Sequence, residues 1–126
     1  MSARVVADTL YAVIGTDTGF TLGRLDADTW LELATARTSI AGPMQHANGQ
    51  RYVGLDGTLQ VFDDQQQLRM IDANATVSCL GRNDVGSYAC TRDGVHEVLD
   101  SGLGAALFLL EDLKAPDLSV LTKLAS

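Results

Sequence analysis

Cys79 and Cys90 are the only cysteines in the chain, and they stand eleven positions apart around the Gly81–Gly86 turn. If that turn is a symmetric hairpin centred on Asp84-Val85, the two face each other across adjacent strands. Cross-strand Cα separations of about 4.5–5.5 Å fall within the disulfide range. The pair reads as a structural disulfide, with an extracytoplasmic home, or else as two small buried hydrophobes in a cytoplasmic protein. No Cys-x-x-Cys is present, and two cysteines with the scattered His46 and His96 make no zinc site. Neither histidine has a triad or metal partner at a diagnostic spacing. His96 and Glu97 fall in a predicted strand and so point to opposite faces. Gly102-Leu103-Gly104 lacks the third glycine of a dinucleotide fingerprint. Asp56, Asp63, Asp64, Asp93 and Asp100 are turn acids. They lack the Asp-x-Asp-x-Asp-Gly spacing of a calcium loop, and Asx hydrogen bonds are the expected use. These residues therefore name no catalytic group, no metal site and no cofactor.

The composition sets the bounds. At 126 residues the chain is about one domain. Net charge is −7, so the basic footprint of a nucleic-acid-binding surface is missing. No apolar run approaches the ~20 residues of a transmembrane segment, and the first residues lack the apolar stretch of a signal peptide.

The elements that position these residues recur. Tyr11, Tyr52 and Tyr88 each begin the same pattern: an aromatic, a small residue, a short run, a turn closed by glycine and an apolar restart. The closing glycines, Gly19, Gly57 and Gly94, are 38 and 37 apart. Trp30-Leu31-Glu32-Leu33, Leu68-Arg69-Met70-Ile71 and Leu107-Phe108-Leu109-Leu110 begin 38 and 39 apart. Pro43 and Pro116 are 73 apart, close to two periods. Within a period the signals are β. Asp56-Gly57 and Asp93-Gly94 are hairpin dipeptides, and Thr58–Phe62 alternates polar and apolar. Residues 104–114 hold good helix formers, but the repeat register assigns them to a strand. Repeats of about 40 residues with four strands are propeller blades. The units are residues 3–38, 39–75 and 76–113. Residues 114–126 form a tail, either a short helix capped by Asp117 or the start of a further blade.

Leu10-Tyr11-Ala12, Phe20-Thr21-Leu22-Gly23-Arg24 and Asp26-Ala27-Asp28-Thr29-Trp30 resemble a blade of the Asp-box (BNR) propellers, the sialidase-like and photosystem-assembly-factor-like type. Phe20-Thr21-Leu22-Gly23, the Trp30 turn and the following Ile40-Ala41-Gly42-Pro43 are together similar also to propeller repeats in secreted myxobacterial proteins of unknown role. Arg24 replaces the Asp-box serine, and the Asp-to-Trp interval is one residue short. The resemblance implies a fold and no chemistry, because Asp-boxes stabilise turns on a blade's rim. Asp17-Thr18-Gly19 matches the aspartic-protease triplet, with Leu80-Gly81-Arg82-Asn83 faintly like the later motif of the dimeric retroviral type. Such an enzyme would pair two Asp17 carboxylates around one proton. Gly15-Thr16 before the triplet and Phe20 after it depart from that pattern.

The expected fold is all-β, with three four-stranded propeller-type blades. A propeller closes with about 4–8 blades, and open sheet edges invite pairing. A homodimer forming a six-bladed ring is therefore favoured, with another chain supplying the missing blades as the alternative. The expected function is non-enzymatic binding or scaffolding, with a protein or surface ligand held by inter-strand loops. Those loops carry Gln45, His46, Asn48 and Arg51, and Arg82, Asn83 and Asp84. A glycosidase-like or aspartic-protease-like hydrolase is the alternative, or a fragment of a larger propeller. Trp30, the only tryptophan, has no aromatic counterpart at Leu68 or Leu107, which weakens a lectin reading.

Overall fold

The computed structural model describes residues 2–6, 8–62 and 67–109. The expected tail at 114–126, Pro116 and the turn acids Asp63 and Asp64 lie outside the described residues. Those described form twelve strands and no helix. The first sheet holds β1 (Ser2–Val6), β2 (Thr9–Thr16), β3 (Gly19–Asp26) and β4 (Thr29–Ala36). The second holds β5 (Ile40–Gln45), β6 (Arg51–Leu55), β7 (Thr58–Phe62) and β8 (Leu68–Asp72). The third holds β9 (Cys79–Arg82), β10 (Ser87–Cys90), β11 (Gly94–Leu99) and β12 (Gly102–Leu109). Each sheet is a four-stranded antiparallel meander with its strands in chain order. The breaks at 38/39 and 75/76 fall in the links between sheets.

Local chemistry explains the turns. Gly19, Gly57 and Gly94 stand where the second and third strands of a sheet join, with φ of 145°, 89° and 152°. A side chain at Gly94 would run into the Phe108 carbonyl oxygen, so that turn requires glycine on two counts. Each sheet also carries a β-bulge in its last strand pair. The extra residue is Leu33 in β4, Ile71 in β8 and Leu107 in β12, and β12 has a second shift opposite His96–Val98. Bulges bend and twist a strand, so the repeat here is one of curvature as well as pairing.

The sheets stack face to face over two cores. The Tyr11 side of sheet 1, with Leu22 and Ala34, packs on Val53, Leu55 and Phe62 of sheet 2. The opposite side of sheet 2, with Tyr52, Leu59 and Val61, packs on Leu80, Ala89 and Val98 of sheet 3. The first strands of the sheets also adjoin, β1 against β5 and β5 against β9. Arg4 of β1 crosses this junction. Its guanidinium donates to the carbonyls of Pro43 (3.1 Å) and Leu80 (3.3 Å), touching all three sheets.

The other end of the sheets is tied by the links. The Asp56 carboxylate accepts from the backbone N–H groups of Arg37 (3.0 Å), Thr38 (2.6 Å) and Ser39 (3.2 Å) and from the Thr38 hydroxyl (2.7 Å). Asp56 thus caps the β4–β5 link rather than its own turn, unlike the local Asx bond expected of it. The same place in sheet 3 uses Thr76, whose hydroxyl accepts from the Arg92 N–H at 2.8 Å. The Arg37 N–H first, then the Thr38 hydroxyl and the remaining amides, hold the Asp56 carboxyl well below the usual carboxylate range. A depressed folded-state value stabilises the fold above the unfolded value of about 3.9 and loses that contribution as pH falls through the folded value. Asp56 is exposed, so solvent screening trims the effect. We expect Asp56→Asn to lower the urea midpoint at pH 7, with the gap from wild type narrowing below about pH 4. An equal gap at pH 7 and pH 2 would contradict this.

Candidate functional site

At the end of the sheets opposite Asp56, the β5–β6, β9–β10 and β11–β12 turns meet. The β5–β6 loop is built on Asn48, whose Oδ1 accepts from the Gln50 N–H (3.0 Å) and whose Nδ2 donates to the Tyr52 hydroxyl (3.2 Å). Gly49 closes it with φ of 85°. The β9–β10 loop is built on Asn83, whose Oδ1 accepts from the N–H groups of Val85 (2.8 Å) and Gly86 (3.0 Å). The Arg82 guanidinium donates to the Gln45 carbonyl at 3.3 Å, joining the two loops.

His46 lies beneath them. Its Nδ1 is 2.9 Å from Ser87 Oγ, and its Nε2 is 2.8 Å from Asp100 Oδ1. A carboxylate only accepts. Nε2 therefore donates to Asp100, and in the neutral ring the Ser87 hydroxyl donates to Nδ1. The ring packs edge-on against Tyr52, with centroids 5.4 Å apart. The Tyr52 hydroxyl in turn donates to the Asp100 carbonyl at 3.2 Å. His46 and Tyr52 belong to sheet 2, Ser87 and Asp100 to sheet 3. The cluster is a polar pin across the interface.

The sequence places His46 in a candidate recognition loop, with no triad or metal partner at a diagnostic spacing; the fold gives it two hydrogen-bond partners from the next sheet. The ring is buried. Its partners are 41 and 54 positions away, and no local spacing announces them. The signal that could have found them is structural: His46 follows the first strand of one repeat, while Ser87 and Asp100 flank strands of the next.

Serine, histidine and aspartate in one chain of hydrogen bonds are the residue types of acyl transfer. A nucleophile must also reach a carbonyl carbon. Ser87 is only 2% exposed, beneath the loops. The geometry satisfies buried polar groups and ties two sheets. We expect His46→Ala to cost about 2 kcal/mol, because it strands the buried Ser87 hydroxyl. Asp100 is largely exposed, and Asp100→Asn should cost no more than about 0.5 kcal/mol. Urea denaturation of both variants checks this, and a reversed order would refute the pin.

The other predicted residues divide. Asn48, Asn83 and Asp84 are exposed on the loops, with Val85 at the tip 86% exposed. Arg51 is half-buried in the strand face turned to sheet 1, not in the loop. Tyr11 is buried near it, and burial pushes its phenol up against the opposing pull of Arg51 and Arg24. Asp17 lies exposed in the β2–β3 turn, at the Asp56 end of the molecule. Cys79 and Cys90 are paired residues in the β9–β10 ladder, with Cα atoms 4.9 Å apart, and they form a disulfide. His96 Nδ1 lies 3.0 Å from the Gly104 carbonyl within sheet 3. Among the described residues, no three His, Cys, Asp or Glu side chains are grouped to hold a metal ion, and no helix is long and apolar enough to cross a membrane.

Neither a family model, nor a curated protein, nor a solved structure matches this chain.

Proposed function

We propose that the chain is a non-enzymatic binding and scaffold module of the propeller type, which recognises a protein ligand through its pinned loops. The observation that carries this reading is the His46 cluster. It fixes loops from two different sheets in one place, and rigidly held loops on a sheet scaffold are a common design for recognition. Val85 stands outward beside Asp84, its N–H held by the Asn83 side chain, giving one apolar contact with polar neighbours. That mixture suits a peptide surface. A sugar ligand favours an aromatic platform, and Trp30 lies on a different sheet. The Cys79–Cys90 disulfide supports an oxidising, extracytoplasmic setting.

The test is a screen of the wild type against peptide and glycan arrays, repeated with the Asp84→Ala, Val85→Ser double variant. Peptide binding lost in a variant that keeps its urea midpoint supports the reading. Glycan binding, or peptide binding indifferent to the loop, overturns it. The hydrolase reading has one observation in its favour, the Ser87–His46–Asp100 chain. Ester hydrolysis abolished by Ser87→Ala, in a variant still folded, would establish it instead.

A further inference from the structure

The two sheet-to-sheet interfaces in the chain follow one rule. The face bearing the repeat's tyrosine in one sheet is covered by the opposite face of the next. Tyr11 is covered by the Val53 face of sheet 2, and Tyr52 by the Ala89 face of sheet 3. Both tyrosines are essentially fully buried, at 1% and 0% exposure. The rule leaves two faces over among the described residues. One is the tyrosine face of sheet 3, with Tyr88, Cys90, Val95 and Leu99. Leu99 is 41% exposed there. The other is the opposite face of sheet 1.

That second face carries an apolar row across all four strands. Val5 pairs with Leu10, Leu10 with Leu25, and Leu25 with Trp30. All four are exposed, at 67%, 39%, 43% and 39%. The Trp30 ring lies directly over Gly23 of β3, where no side chain could fit. The same row in sheet 2 runs through Arg51, Phe62 and Leu68, with Phe62 buried and Leu68 packed against sheet 1. In sheet 3 it runs through Ser87, held by His46. Among the described residues, only in sheet 1 does the row lack a cover.

The geometry points to a second copy of this chain as the occupant, docked head to tail, with the Tyr88 face of one copy on the Val5–Leu10–Leu25–Trp30 face of the other. This contact continues the interface that the chain already makes twice within itself. It rests on the propeller reading above and adds the pairing of faces. A head-to-tail contact closes only if the rotation allows. Rings close at about 4–8 sheets, and six is the only multiple of three in that range. Two copies then share two identical contacts.

A mixing experiment separates this arrangement from its rivals. Leu25→Asp damages one face, and Leu99→Asp damages the other. Each variant alone carries a lesion in both contacts of a ring and should run as a monomer by light scattering after size exclusion. Mixed in equal amounts, they should recover a dimer, because one of the two contacts then joins two undamaged faces. The fluorescence of Trp30 should shift to shorter wavelength on mixing as its ring is covered. Dimerisation lost in Leu25→Asp but not in Leu99→Asp, without rescue on mixing, would show a symmetric sheet 1 contact and overturn the pairing alone. A wild type that is monomeric at every concentration overturns the pairing together with the ring, and residues 110–126 or another protein then cover these faces.

Discussion

Tyr52→Ala should cost about 3–5 kcal/mol, the range for removing a large aromatic side chain from a core. Tyr52 is fully buried between sheets 2 and 3. Its ring supports His46, and its hydroxyl reaches across to the Asp100 carbonyl. The substitution opens a cavity, frees the His46 ring and unties the loop end in one step. Set against a total of about 5–15 kcal/mol, that loss is large enough to leave part of the protein unfolded at 25 °C. Tyr52→Phe keeps the packing and removes only the hydroxyl, so it should cost about 1 kcal/mol. Urea midpoints at constant slope measure both. A cost below about 1 kcal/mol for Tyr52→Ala would mean that the second and third sheets do not share a core.

Breaking the Cys79–Cys90 bond should cost about 3 kcal/mol, the chain-entropy value for a closed loop of this size. The bond ties β9 to β10 at the start of the third sheet. β9 pairs with β10 alone within its sheet and also lies against β5. Its loosening therefore weakens the contact between sheets 2 and 3 as well as the hairpin. The paired Cys79→Ser, Cys90→Ser variant, compared with wild type in urea without reductant, reads the effect. Adding reductant to wild type should reproduce the variant's midpoint. If the two midpoints coincide without reductant, the thiols are free, and the support for an extracytoplasmic setting goes with them.

The strands and turns were legible because their causes are local. Tyr11, Tyr52 and Tyr88 lie in the second strand of each sheet, and the glycines that close the next turns take positive φ. Strand alternation with a two-residue turn also gave the facing of Cys79 and Cys90, since register follows from turn length. Segment 104–109 shows the limit of propensity. Its Ala and Leu residues favour helix, yet pairing with β11 makes it strand. What stayed hidden depends on contacts between repeats. The bond from Asp56 to the 37–39 link spans 17 to 19 positions, and the His46 pin spans 41 and 54. Side-chain types give no hint of such partners. The exposed row through Trp30 was hidden for a related reason. The place of Trp30 in the Asp-box-like segment gives no sign of this, and only the registers of β1 to β4 show that it joins Val5, Leu10 and Leu25 on a face left uncovered among the described residues.

Apolar rows on the outer faces of a protein carry a cost in solubility unless something covers them. The two faces left uncovered among the described residues are the two ends of one repeating stack. The proposed head-to-tail contact would turn a short chain into an assembling unit and hold the pinned loops of each copy on one rigid frame.

The measurement that tests this account most directly is the absolute mass of the wild-type protein in solution, by light scattering after size exclusion at two well-separated concentrations. The account predicts a particle of about twice 13.4 kDa at the higher concentration, with dissociation only on strong dilution. A folded monomer of 13.4 kDa at both concentrations would contradict it.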